Sequence, residues 1–542
     1  MNDLNNSRLH LNVYDLRESQ RRLKEFRLAG SSTEQLKKLV KIKKKKYKDL
    51  LIKKKSKIVS RVISNSEDKT KATWNIINSN ISKGKSKDTR EIAKILVGGE
   101  LINDPSQVAN AFNQYFISAS TNTNFIFSPN NFDYLKQHPS KLRLECISIS
   151  EVDIAIDRLE NKKSAGHDKF SNWLIKSCKN EFLFPFSSYL NNSLTTCVIS
   201  QELKVVKVSP LYKKGNKLEM MNYRPLSLVS SLSNVFELVV YNHLENYLSV
   251  NKILHDMQFG FRRNLSTDKA IKAVVERIAT NNKNKLSSFI VAFDLTKAFD
   301  SVNFEVLKLK LSKLGLDKHF ISWLASYLEN RYQYVAFKHG DSEICSALLE
   351  IICGVPQGSI LGPIIFLIFI NDVTEFLKIK IDLNNIKSLL QIIMFADDIL
   401  FIISNLLISQ LEIDSYILVS YFIQWCAFNG FIVNHEKTNL IIITNNNSIA
   451  PTPSVLIEEK ILQVITNFKY LGFMLDEELR MTEHVNFLRI KLSKAIFILN
   501  HFVKFCDVKV LLSIYNSLFY SHLNYYISIY GAYLRKNYLT LF

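Results

Sequence analysis

Two hydrophobic periods alternate along this chain from about residue 150 onward. Short apolar runs bounded by polar residues stand at Phe289–Phe293, Ile392–Ala396, Ile399–Ile403 and Leu440–Thr444. Runs of that length are too short for helices and predict buried strands. Val205–Val208 predicts another short strand, closed by Pro210, and Phe468–Leu475 one more. Between them, Leu307, Leu311 and Leu314 recur at spacings of four and three, and Leu411, Leu418, Phe422 and Trp425 share one helical face before Gly430. That spacing predicts amphipathic helices. Leu226–Val250 carries a long helical period, and Ser150-Glu151-Val152-Asp153 reads as a serine-capped helix start. Gly354–Pro363 is a turn-rich connector into a second apolar helix. The resulting order is helices, then strand, two helices, two strands, helix and strand. It predicts an α+β fold in which a small antiparallel sheet is backed by helices.

The period also locates the chemistry. Asp294 closes the run that begins at Phe289, and Asp397 and Asp398 interrupt the run from Ile392 to Ile403. A carboxylate deep in apolar sequence is costly unless it is neutralised, paired or bound to metal. The adjacent pair invites a two-residue hairpin loop, because aspartate tolerates the left-handed backbone such loops demand. Both acidic stations then fall on one edge of the sheet. Two carboxylate sites that share divalent cations are the core of a phosphoryl-transfer centre. Asp300, by contrast, suits the cap of a helix starting near Val302. The segment Gly354-Val355-Pro356-Gln357-Gly358-Ser359 packs three turn formers into six residues and offers the Gln357 amide to a base or sugar.

Charge narrows the partners. The chain has 542 residues, 47% hydrophobic and 22% charged, with a formal charge of +20. That composition is globular, with room for two to four domains. Residues 1–100 hold 26 Lys and Arg against 11 Asp and Glu, and twelve of the 21 residues in 37–57 are lysine. A basic, largely helical segment of this kind points to a phosphate backbone. The cysteines (Cys146, Cys178, Cys197, Cys345, Cys353, Cys426 and Cys506) include no zinc-type spacing and read as reduced core thiols of an intracellular, cytoplasmic or nuclear protein. Met1–His10 is polar and the run Ile360–Ile370 too short for a bilayer, so no membrane role is expected.

Nine stations in order complete the pattern. They are Lys163-Ser164-Ala165-Gly166-His167-Asp168, Tyr223-Arg224-Pro225-Leu226-Ser227-Leu228, Gln258-Phe259-Gly260-Phe261-Arg262, Ala292-Phe293-Asp294 with Phe299, Trp323-Leu324-Ala325-Ser326-Tyr327-Leu328, the Gly354 segment, Phe395-Ala396-Asp397-Asp398, Gly430 to Thr438, and Phe468-Lys469-Tyr470-Leu471-Gly472. The chain resembles the reverse transcriptase of a non-LTR (LINE-type), jockey-like retrotransposon over about residues 60–535. The resemblance implies a right-hand polymerase of fingers, palm and thumb, divided as a basic extension and linker at 1–145, fingers and palm at 146–478, and a truncated helical thumb at 479–542. It implies RNA-directed DNA polymerase activity, with an RNA template, a DNA primer or target, and dNTPs as partners. Asp294, Asp397 and Asp398, with the Leu295 backbone, would hold two Mg2+ ions, with Mn2+ as a substitute. Phe299 would be a steric gate against ribonucleotides, Arg262 a triphosphate partner, and Gln357 and Gly358 would lie along template and nucleotide. Lys437 would be the acid for the leaving group, Tyr470, Leu471 and Gly472 a primer grip, and Arg224 part of the finger surface. Departures from the family pattern are Ala165 for proline, Lys169 for glycine and Phe395 where tyrosine is common. No endonuclease domain is recognised, so the expectation is a shortened copy of such an element. The rival readings are an inactive nucleic-acid-binding remnant, an RNA-templated RNA polymerase and a two-metal nuclease.

Overall fold

The structure is a computed structural model that describes residues 17–22, 24–25, 34–66, 69–81, 94–118, 125–144, 146–162, 164–444, 455–457, 460–504 and 506–531. Lys163 lies outside the described residues. The chain forms two compact units, one of Met1–Lys87 with Arg480–Phe542 and one of Asp88–Leu479.

The first unit is helical. Lysine-rich Glu34–Ser64 and Lys69–Ile81 share a small core with the C-terminal helices, formed by Val59, Ile77, Phe502, Val510 and Ile514. Almost every side chain on Glu34–Ser64 is at least partly exposed, and only Val40 and Val59 are buried. Among the described residues no helix is long and apolar enough to cross a membrane.

The second unit is built on a five-stranded sheet. Its order is Gln463–Val464, Asn439–Ile443, Ser287–Phe293, Asp398–Asn405, Leu389–Phe395. All pairs are antiparallel except the outermost Asn439/Gln463 contact. Ser287–Phe293 sits in the middle and is buried on both faces, which explains its unbroken apolar run. Helix Ile408–Phe428 covers one face, burying Leu411, Leu418, Phe422 and Trp425. The central core gathers these with helix Leu361–Ile370, nine of whose ten residues are buried.

A second sheet was not legible in the apolar runs. It runs Tyr223–Leu228, Val205–Tyr212, Arg331–His339, Ser342–Cys345, with Leu349–Ile351 also paired to Arg331–His339. The strand at Val205 does not stop at Pro210 but reaches Tyr212. Pro210 faces Pro225 across the antiparallel ladder, and the parallel partner pairs only as far as Val208, so the missing N–H is not needed on that side. Likewise Leu226 belongs to a strand. The helix begins at Ser231, capped by the Ser230 hydroxyl, which accepts from the Leu232 and Ser233 N–H groups. The Ser150 start is displaced too: Ser148 is the cap, in a reciprocal capping box with Glu151. Asn303, not Asp300, caps the helix Phe304–Lys313.

Candidate active site

Strand register brings the acidic stations together. Ile399 pairs with Phe293, so continuing the ladder by one position sets Asp398 opposite Asp294. On the other side of the same strand, Asn439 pairs with Ala292, and two further positions set Lys437 opposite Asp294. Lys437 Nζ lies 3.2 Å from Asp294 Oδ2. The Leu295 backbone follows directly. Flanking bonds join Thr296 N–H to Ile432 O and Asp294 O to Asn434 N–H, so the N–H and C=O of Leu295 face away from Val433.

The hairpin differs in detail from the expected Asp397-Asp398 loop. Asp398 pairs with Phe395, leaving Ala396 and Asp397 as the loop, with Ala396 at φ +55°. The Gln258 side chain is bonded to this turn. Its Oε1 accepts from Ala396 N–H at 3.0 Å and from Gly260 N–H at 2.9 Å. Phe259 N–H also donates to Met394 O, so the segment 257–260 is laid along the hairpin. A Cβ on Gly260 would stand 2.4 Å from Ala396 N, which only glycine avoids.

The carboxylates feel one another. Burial pushes Asp398 up to about 6, with repulsion from Asp397 and then Asp294 adding to it. Its tip is open to solvent, but the surrounding chain still strips away much of its water. Asp397 is raised as well, by burial and by Asp294, while Arg224 opposes the rise. Hard carboxylate oxygens held beside like charge suit a divalent cation such as magnesium. Among the described residues no three His, Cys, Asp or Glu side chains are drawn close enough to hold a metal ion.

Positive charge faces the acids. Arg224 is in electrostatic reach of Asp397, and Lys213 is in reach of Asp294, Arg224, Lys214 and Lys437. Burial, followed by its cationic neighbours, lowers the Lys213 pKa. Lys213 was missed because a Lys-Lys-Gly turn reads as an ordinary solvated loop. Arg262 is held by its own loop, its Nη1 donating to His255 O at 2.8 Å and Gln258 O at 3.2 Å.

Phe299 stacks on Phe366 (centroids 4.2 Å, planes 20°) and meets Phe261 edge-on at 6.1 Å. It is half-buried, with Phe261 exposed beside it. Asp300, next in the chain, accepts from Gln357 Nε2 at 2.8 Å on both carboxylate oxygens. Burial raises Asp300 to about 6 despite that bond and the nearby Lys297. Gly354, at φ +86°, presses on the Asp300 backbone, where a Cβ would come within 2.5 Å of its carbonyl oxygen. Gly358 lies against Ser227 O. Buried Glu237 holds the far end of this segment, accepting from Ile360 N–H at 2.7 Å. An acid inside the apolar Val235-Phe236-Glu237-Leu238 stretch was the signal for it. Tyr470 closes the Tyr470–Phe473 hairpin, with Leu471 and Gly472 both at positive φ, and its hydroxyl is 3.4 Å from Asp398 O. Asp168, from the first motif, accepts from the Ser230 hydroxyl and is a scaffold contact.

Residues 212–475 match the family described as reverse transcriptase (RNA-dependent DNA polymerase). They form a reverse transcriptase domain. Relatives of this domain include the probable RNA-directed DNA polymerase from transposon BS of Drosophila melanogaster, 28% identical over 395 residues, covering 72% of this chain and 42% of the relative. The probable RNA-directed DNA polymerase from transposon X-element of the same fly is 29% identical over 343 residues, covering 63% and 36%. The RNA-directed DNA polymerase from its mobile element jockey is 26% identical over 348 residues, covering 64% and 37%. The chain thus spans well under half the length of these curated relatives. They bear out the jockey-like resemblance carried by the motifs. The reverse transcriptase domain contains both acidic stations, Lys437 and most of the Tyr470 hairpin.

Proposed function

We propose that this chain is an RNA-directed DNA polymerase of a non-LTR retrotransposon, joining dNTPs to a primer 3′-hydroxyl. The observation that supports the reading is the register that sets Asp294, Asp397 and Asp398 at one sheet edge, within electrostatic reach of Lys213 and Arg224. In this reading the central sheet is the palm and the second sheet belongs to the fingers, with the helices after Arg480 beginning a thumb. The domain limits at 145 and 478 are part of the same proposal.

Asp294, Asp397 and Asp398, with the Leu295 carbonyl, would hold two magnesium ions. Bound there, magnesium would supply an ionised primer hydroxyl and neutralise charge on the phosphates. The chain's own residues do the rest. Lys213 and Arg224 draw the triphosphate toward the acids, assisted by Arg262. Phe299, backed by Phe366, presents an apolar wall where a ribose 2′-hydroxyl would clash. Asp300 and Gln357 brace each other, and with Gly358 they shape the path of template and nucleotide. Lys437 hands a proton to the departing pyrophosphate. The Tyr470–Gly472 hairpin guides the primer end toward Asp398. The lysine-rich helix Glu34–Ser64 binds RNA or target DNA through phosphates, with affinity that falls as salt rises. Cytoplasm and nucleus are the compartments where such a template and target are found.

A primer-extension assay on an RNA template tests this reading. Wild-type chain should incorporate dNTPs and Asp397→Ala should not. Binding of the template by both, with extension by neither, would favour a nucleic-acid-binding remnant.

A further inference from the structure

The hairpin that carries Asp397 and Asp398 is gripped from outside by one amide. Gln258 is 2% exposed, and its Oε1 is shared by the Ala396 and Gly260 N–H groups at 3.0 and 2.9 Å. Both donors are backbone N–H groups, so the oxygen must face them and the amide has only one workable orientation. The orientation has a cost. Gln258 Nε2 is left buried without a hydrogen-bond partner. The carbonyl end of Gln258 is thereby committed to the turn.

The neighbouring geometry says what it is needed for. Ala396 lies at φ +55°, a left-handed conformation that a non-glycine residue keeps only when its surroundings over-determine it. Phe259 N–H to Met394 O (2.8 Å) and Met394 N–H to Met257 O (2.9 Å) dock the Gln258 segment on the strand leading into the turn. The Arg262 guanidinium in turn fastens that segment through Gln258 O. The turn is thus held on its strand side by the ladder and at its apex by Gln258 alone among these contacts. Asp397 follows immediately.

We propose that Gln258 is a positioning residue for the Asp397 and Asp398 carboxylates, a role that rests on the polymerase reading above. It does not touch nucleotide. It sets the turn from which both carboxylates project, and in a centre that works by placement a shift of about 1 Å costs on the order of a hundredfold in rate.

The test compares full-length wild type, Gln258→Met and Gln258→Glu. Methionine keeps shape but accepts no strong hydrogen bond, whereas glutamic acid keeps an oxygen at the same reach. Extension on an RNA template gives kcat and the dNTP KM. Titration with Mn2+ alone, followed by electron paramagnetic resonance, gives cation affinity without turnover. Gln258→Met should lower kcat by about 10- to 100-fold with KM within about twofold, and weaken Mn2+ binding by roughly tenfold. Gln258→Glu should recover kcat to within about fivefold of wild type. A Gln258→Met chain equal to wild type in kcat and Mn2+ affinity overturns the proposal, as does a Gln258→Glu chain impaired as deeply. If Gln258→Met melts below the assay temperature, Gln258→Glu decides: retained extension supports the role, and loss to the Asp397→Ala level overturns it. Absence of extension by wild type would instead defeat the polymerase reading, and the Mn2+ titration would still decide the role of Gln258.

Discussion

Lys437 Nζ stands 3.2 Å from Asp294 Oδ2, on the strand side opposite Asp398. One carboxylate therefore lies between a cation and an anion supplied by two different neighbours in the sheet. The Lys437 side chain is two-thirds exposed, so the pair adds little to stability, roughly 0–1 kcal/mol. In the proposed polymerase reading its use is chemical. Arginine would keep the pair but gives up no proton at neutral pH. Lys437→Arg should therefore lower single-turnover incorporation by about tenfold or more while melting within a degree or two of wild type. Incorporation equal to wild type would remove the proton-donor role.

Asp398 and Asp300 both sit near 6, each driven up chiefly by burial. A folded-state pKa above the unfolded one means the folded chain binds more protons between pH 4 and 6. Stability from these two groups is then highest at the acid end and is lost as pH rises through about 6. Around Asp398 the charged groups are Asp397 and Asp294, with Arg224 and Lys437 nearby. Asp398→Asn should therefore stabilise the metal-free chain at pH 7 by on the order of 1 kcal/mol, discounted for its solvent-exposed tip, while abolishing extension. Urea melts at pH 5 and pH 7 measure the difference, which should be larger at pH 7.

Phe299 rests on Phe366 and under the edge of Phe261. Phe299→Ala should admit ribonucleotides in competition with dNTPs. It should also cost about 2 kcal/mol, less than a fully buried phenylalanine because the ring is only half-buried. Unchanged discrimination in a mixed rNTP and dNTP extension assay would remove the gate assignment and leave the stability loss standing.

Much of this architecture was legible in the chain. Short apolar runs gave the central strands because each is buried on both faces and needs no polar alternation. The acids that ended those runs marked the site because few other groups in such sequence carry charge. What escaped was tertiary in origin. The Ala396-Asp397 loop is one residue away from the expected position, and the Ala396 N–H there donates to Gln258, a partner far upstream that local sequence does not reveal. Asp300 reads as a cap from its neighbours, but Asn303 caps the helix and Asp300 receives Gln357 from 57 residues on. The second sheet was obscured because its strands carry prolines and lysines and are only partly buried.

Two single changes separate backbone strain from contact. Gly260→Ala forces a methyl to 2.4 Å from Ala396 N, a backbone atom that cannot step aside. It should cost about 1–3 kcal/mol and silence extension. Phe261 holds φ +52° with its ring exposed. Phe261→Gly should relieve that backbone at a net stability change within about 1 kcal/mol of zero, since glycine also loosens the unfolded chain. Chemical denaturation of both variants checks the contrast.

Lys310 is a buried charge that the site does not use. Its ammonium donates to Phe369 O, Asp372 Oδ1 and Asn429 Oδ1, each at 2.6 Å, inside the central core. Lys310→Met would leave Asp372 buried with only the Tyr134 hydroxyl among these partners. The expected loss is about 3–5 kcal/mol, read by urea denaturation. A loss below about 1 kcal/mol would mean that Asp372 finds other compensation.

In the proposed reading Asp294, Asp397 and Asp398 act together in making DNA from an RNA template. Its most direct measurement is extension of a labelled DNA primer on an RNA strand by the full 542-residue chain, titrated with Mg2+. Products should require dNTPs, rise with Mg2+, and vanish in Asp294→Ala and Asp397→Ala alike. Equal product from wild type and either variant would contradict it.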